Sequence, residues 1–171
     1  MKLAAIFFGL GIASLCLLMT ASFGQDGGHV AVNRWYSPED QQYRMVAENE
    51  FVDSELYKGG WTNKTFLFYA CNTSGPGRVA VNSWFNSVSH SYLSVCEDEY
   101  TDEQMMKNGY RQKQLQFYGL TKKSEKTVCV YRWLLPARHG WITIPDNNDT
   151  DLYLKKGYHH KTYQFYGLVK K

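Results

Sequence analysis

Proline is scarce in this chain, with 4 among 171 residues, and cysteine is as rare. Cysteine at that level excludes a dense disulfide scaffold. No marked charge of one sign is present either: 19 Lys and Arg face 16 Asp and Glu. That balance, with no basic stretch repeated along one face, argues against a nucleic-acid partner. Lys122-Lys123, Lys155-Lys156 and Lys170-Lys171 read as solvated loop or terminal charges. Beyond the first 24 residues there is no long apolar run, so the mature chain is expected to have no stable membrane insertion. Catalytic signatures are also missing. No Ser sits in a nucleophile elbow, and His159-His160 are adjacent instead of spaced as helix-face metal ligands. The acidic run Glu97-Asp98-Glu99 lacks the ordered spacing of a calcium loop. The expectation is a protein that is not an enzyme and needs no cofactor or metal.

Aromatics are abundant: 13 Tyr, 9 Phe and 5 Trp, enough to bury a substantial core. The N-terminus reads as a targeting segment. Lys2 precedes an apolar, uncharged run from Ala4 to Met19, and the small residues Ala21, Ser22 and Gly24 suit a cleavage site. Residues 1–24 are therefore expected to be a signal peptide, leaving 25–171 as one secreted, extracellular domain. Cys16 leaves with the signal. Cys71, Cys96 and Cys129 remain as disulfide candidates: one bridge in any of three pairings, with a leftover thiol able to join two chains, or three buried thiols. Asn63, Asn72 and Asn148 each begin an Asn-x-Ser/Thr sequon, as expected of a glycoprotein.

The strongest signal is internal self-similarity. Val30-Ala31-Val32-Asn33-Arg34-Trp35, Val79-Ala80-Val81-Asn82-Ser83-Trp84 and Val128-Cys129-Val130-Tyr131-Arg132-Trp133 place their Trp 49 residues apart. An aromatic follows eight residues later as Tyr43, Tyr92 and Trp141. Gly60-Trp61, Gly109-Tyr110 and Gly157-Tyr158 keep the same phase, and so do the closing Phe68-Tyr69, Phe117-Tyr118 and Phe165-Tyr166. The copies run over about residues 29–77, 78–126 and 127–171.

Each copy opens on alternating apolar residues that read as a strand, turns, and continues into a second strand. An acidic middle follows, where Thr101 or Asp102 is placed to cap a short helical turn and Asn108-Gly109 to end it. A final pair of strands is expected after the Gly-aromatic step. Units this small cannot bury both faces alone, and three closing around an axis would remove exposed edges. The predicted fold is all-β, a β-trefoil of three internal repeats with short helical turns.

The residues resemble a short aromatic-repeat, lectin-like β-trefoil family of secreted and cell-wall-associated proteins. The likeness lies in Val32-Asn33-Arg34-Trp35-Tyr36-Ser37-Pro38, Val130-Tyr131-Arg132-Trp133, His90-Ser91-Tyr92, His139-Gly140-Trp141 and the three Gly-aromatic steps. It implies glycan binding, although the Gln-x-Trp signature of ricin-type lectins is absent. Sugar rings need an aromatic face and a few polar groups. Arg34, Tyr43, His90, Tyr92, Arg132, His139 and Trp141 are the candidate glycan-binding residues, forming up to three sites that act through avidity. The expected partner is an extracellular glycan or glycoprotein. The competing reading is a protein-binding module, either a protease inhibitor or a signalling or immune ligand, using the polar loop from Cys71 to Arg78.

Overall fold

The computed structural model describes residues 28–138, 140–146 and 150–169. The expected signal peptide, His139 and Asn148 lie outside them. The described chain is mostly β. It forms one nine-stranded antiparallel sheet with short helical turns. In chain order these are β1 (His29–Ser37), β2 (Gln42–Ala47), α1 (Asp53–Lys58), β3 (Thr62–Cys71), β4 (Arg78–Asn86), β5 (Ser91–Cys96), α2 (Asp102–Lys107), β6 (Tyr110–Leu120), β7 (Thr127–Leu135), β8 (Gly140–Pro145), α3 (Thr150–Lys155) and β9 (His159–Leu168).

The expected trefoil is not what forms. A second hairpin per copy would be needed for the cap. The expected helical turn forms between the second and third strands, but the Gly-aromatic step leads into one long strand where a pair was expected. The residues explain both features. Asp53-Ser54-Glu55-Leu56-Tyr57-Lys58 has no period-2 alternation and buries only Leu56, which suits one amphipathic turn. In the second copy, Gln104 N–H donates to Thr101 Oγ1 at 3.2 Å and Thr101 N–H donates to Gln104 Oε1 at 2.9 Å, a capping box. Gly60, Gly109 and Gly157 hold φ of 81°, 85° and 86°, the left-handed turn that releases the chain into β3, β6 and β9.

The three long strands hold the sheet together. β3 meets β6 at Cys71–Tyr118, β6 meets β9 at Leu120–Tyr166, and β3 meets β9 at Tyr69–Leu168. Phe68, Phe117 and Phe165 converge between them, with ring centres 5.6 to 6.0 Å apart in edge-to-face contacts. Gly119 and Gly167 are required there, because a Cβ would lie 2.5 Å from the Phe165 ring and 2.6 Å from the Phe68 ring. Bulges then redirect the opening strands. Val32, Val81 and Val130 face this central core, but register shifts just after them turn Trp35, Trp84 and Trp133 into three separate outer clusters.

Candidate functional site

The aromatic that follows each Trp by eight residues serves as a wedge between clusters. Tyr43 packs on the cluster of Trp133, Tyr153 and Tyr158. Tyr92 packs on that of Trp35 and Trp61, and Trp141 on that of Trp84 and Tyr110. Each wedge therefore joins residues of two different sequence copies and defines a seam.

Arginines fill these seams. Arg34 Nη1 donates to Tyr153 Oη at 2.8 Å, with its guanidinium 5.1 Å from the Tyr43 ring centre. Arg44 lies between Phe51 and Tyr92, at 4.6 and 4.2 Å from their centres. Arg132 lies between Trp141 and Tyr100, at 5.0 and 5.7 Å. Its two terminal nitrogens donate to Glu99 at 2.9 and 2.5 Å in a bidentate pair. Arg132 is 2% exposed and Arg44 8%, and the Nε–H of each has no acceptor.

Two clefts open at these seams among the described residues. The first, of about 500 Å³, is lined by Arg44, Glu50, Phe51, Glu55, Leu56, Gly59 and Trp61. The second, of about 450 Å³, has Leu93, Tyr100, Met105, Asn108 and Tyr110 at the positions 49 residues on from Arg44, Phe51, Leu56, Gly59 and Trp61. It adds Asn86 from the end of β4, Val88 and Ser89 from the β4–β5 turn, and Arg132, Leu134 and Trp141 from β7 and β8.

Their electrostatics differ. In the first cleft, burial pushes the Glu50 carboxyl above its ordinary 4.5. The Ala47 N–H, the Arg44 charge and the Gln116 amide pull the other way. Gln116 Nε2 donates to Glu50 Oε2 at 3.0 Å and to the Met45 carbonyl at 2.7 Å, tying β6 to the first copy. Burial also lowers Arg44 from its usual value, opposed by Tyr92 and Glu50. In the second cleft the Arg132–Glu99 pair closes on itself. Trp141 Nε1 donates to Tyr110 Oη at 3.1 Å, while Asn86 Oδ1 accepts from the Val88 and Ser89 N–H groups and shapes the rim.

The candidate sugar-site residues lie at different seams. Arg132 and Trp141 share the second cleft. Tyr92 is the wedge behind the first. Arg34 and Tyr43 sit at the remaining seam. His90 holds φ of 51° in the β4–β5 turn, and its Nδ1 lies 3.3 Å from the Asp40 carboxylate, outside the residues that line the second cleft. Sequence reasoning passed over Arg44, Glu50, Tyr100 and Asn108. The available signal was their common phase with Leu93, Glu99, Phe51 and Gly59 across the repeat.

Of the alternatives for the three cysteines, no bridge is present: Cys71, Cys96 and Cys129 are all free. Burial, with Asp98 and Glu99 nearby, pushes the Cys96 thiol up to about 12, and it donates to the Gln164 carbonyl. Among the described sequons, Asn63 is exposed on β3 with φ of 54°, and Asn72 is half-buried, its N–H bound to the Gly28 carbonyl at 3.1 Å.

The sequence profile of DUF5648, a domain of unknown function, matches residues 31–168. The chain belongs to that family. This corrects the resemblance to a lectin-like trefoil family, since the matching family carries no ligand in its description and the described residues form a single nine-stranded antiparallel sheet. No curated protein and no solved structure matches the chain. Any function of this DUF5648 domain must therefore be argued from its own clefts.

Proposed function

We propose that the DUF5648 domain is a secreted, non-enzymatic carbohydrate-binding module that holds a saccharide in the second cleft. The observation that carries this reading is the convergence of Tyr100, Tyr110 and Trp141 with Asn108, Ser89 and Arg132 around one hollow of about 450 Å³. Aromatic rings suit the apolar face of a pyranose, and amide, hydroxyl and guanidinium groups suit its hydroxyls. The bidentate pairing of Arg132 with Glu99 neutralises its charge, which favours a neutral sugar over an acidic one. This reading uses one cleft, where the sequence suggested up to three similar sites.

A glycan array screened with the chain from Gln25 onward, made in a secretory host, tests this. Val88 is 90% exposed on the rim, so Val88→Asp should leave the fold intact and abolish binding to the sugar class that the wild type selects. Wild-type protein that is folded, multivalently displayed and blank on the array, or binding untouched by Val88→Asp, overturns the assignment. A protein-binding reading draws its support from the loop after Cys71, where Arg78 Nη1 donates to the Thr73 carbonyl at 2.7 Å and to its hydroxyl at 2.9 Å. A loop braced in this way loses less freedom on docking. Titration against serine proteases separates the two readings.

A further inference from the structure

We propose that the first cleft is a separate saccharide subsite, selective for a sugar that carries a free ammonium group. The hollow holds one guanidinium, Arg44, against two carboxyl groups, Glu50 and Glu55, so with both ionised it has one negative charge in excess. At the position of Glu55 the second copy has Gln104, and in that copy Arg132 and Glu99 cancel each other. An amino sugar and its neutral counterpart therefore meet similar apolar walls in the two clefts, but an ammonium gains a counter-charge only in the first.

The remaining groups suit the rest of such a ligand. Arg44 is buried and fixed between two rings, so its charge is set before a ligand arrives. Glu50 is held in place by the Ala47 N–H and by Gln116, so its carboxylate is set before a ligand arrives. Phe51 and Trp61 supply the apolar lining. Glu55 is exposed at the rim, where it accepts from the Val52 N–H at 3.3 Å; Gln at this position keeps that acceptor and removes the charge.

The subsite has lining residues of its own and does not depend on the reading of the second cleft. The test titrates the secreted chain, at pH 6 and low salt, with a β-1,4-linked glucosamine tetrasaccharide and with its fully N-acetylated counterpart. The wild type should prefer the amine form by about five- to tenfold, the range expected for one charge-assisted contact at a partly exposed carboxylate. Glu55→Gln should reduce the preference to about twofold or less, and added salt should weaken it. Val88→Asp, which alters only the second cleft, should leave it unchanged. Equal affinity for the two tetrasaccharides, no binding of the amine form, a preference kept by Glu55→Gln, or one lost by Val88→Asp overturns the proposal. Failure of the second-cleft reading appears separately, as array binding that Val88→Asp does not touch.

Discussion

The two clefts occupy matching positions in the first and second copies, yet they stabilise a buried arginine in different ways. In the first, Arg44 comes from β2 of the same copy and sits between rings, and the carboxylate beside it, Glu50, takes its hydrogen bonds from Ala47 and Gln116. In the second, Leu93 replaces that arginine, and Arg132 enters from β7 to grip Glu99 with both terminal nitrogens. The carboxylate column is therefore constant, but the cation reaches it from opposite sides of the seam. The charge balance of the arginine and its carboxylate is kept while the strand that supplies the arginine changes, and the difference in charge between the clefts comes from Glu55 against Gln104.

Breaking the tighter pair should have the largest effect. Arg132→Met strands Glu99 beside an apolar seam and should lower unfolding free energy by about 3–5 kcal/mol in urea melts. Removing one of the wedges comes next. Trp141→Ala and Tyr92→Ala should each cost about 2–4 kcal/mol, less than a fully buried ring because both are half-exposed. If Trp141 were only a ligand platform, its loss would change binding and leave the melt where it was.

Arg44→Leu, which copies the second cleft into the first, should cost less, about 1–2 kcal/mol at pH 7, since Glu50 retains its amide donors. The smallest effect sharpens the contrast through pH. Glu50 is raised in the folded state, so its contribution to stability is fully present below its unfolded pKa and is lost as pH rises through the folded value. Urea melts from pH 4 to 7 should show the wild type losing stability relative to Glu50→Gln as pH rises above about 4.5, the ordinary glutamate value. A constant difference between the two across that range would show that Glu50 is not desolvated.

Much of the local structure was readable before any coordinates. Thr101 capping α2, the second strands beginning near Tyr43 and Tyr92, and a mostly β chain all follow from side-chain types and their order. The trefoil was not readable, because a Gly-aromatic step followed by alternating residues reads equally well as two short strands or one long one. Nothing in Gln114-Leu115-Gln116-Phe117 marks the bulge that keeps β6 continuous; its pairing with β4 does that, through the register shift between Val81 and Asn82. The site was half readable for a related reason. Arg132 and Trp141 were singled out together, but Tyr43 and Tyr92 looked like ligand platforms because nothing local shows that each packs against another copy.

By itself the sequence determined the period, the strand-forming openings, the helical turns and the aromatic supply, since each depends on neighbours a few residues away. Only the tertiary structure decided which copy each wedge enters and which arginine meets which carboxylate. Those contacts join residues as far apart as Arg34 and Tyr153, and their strength depends on burial that no local pattern carries.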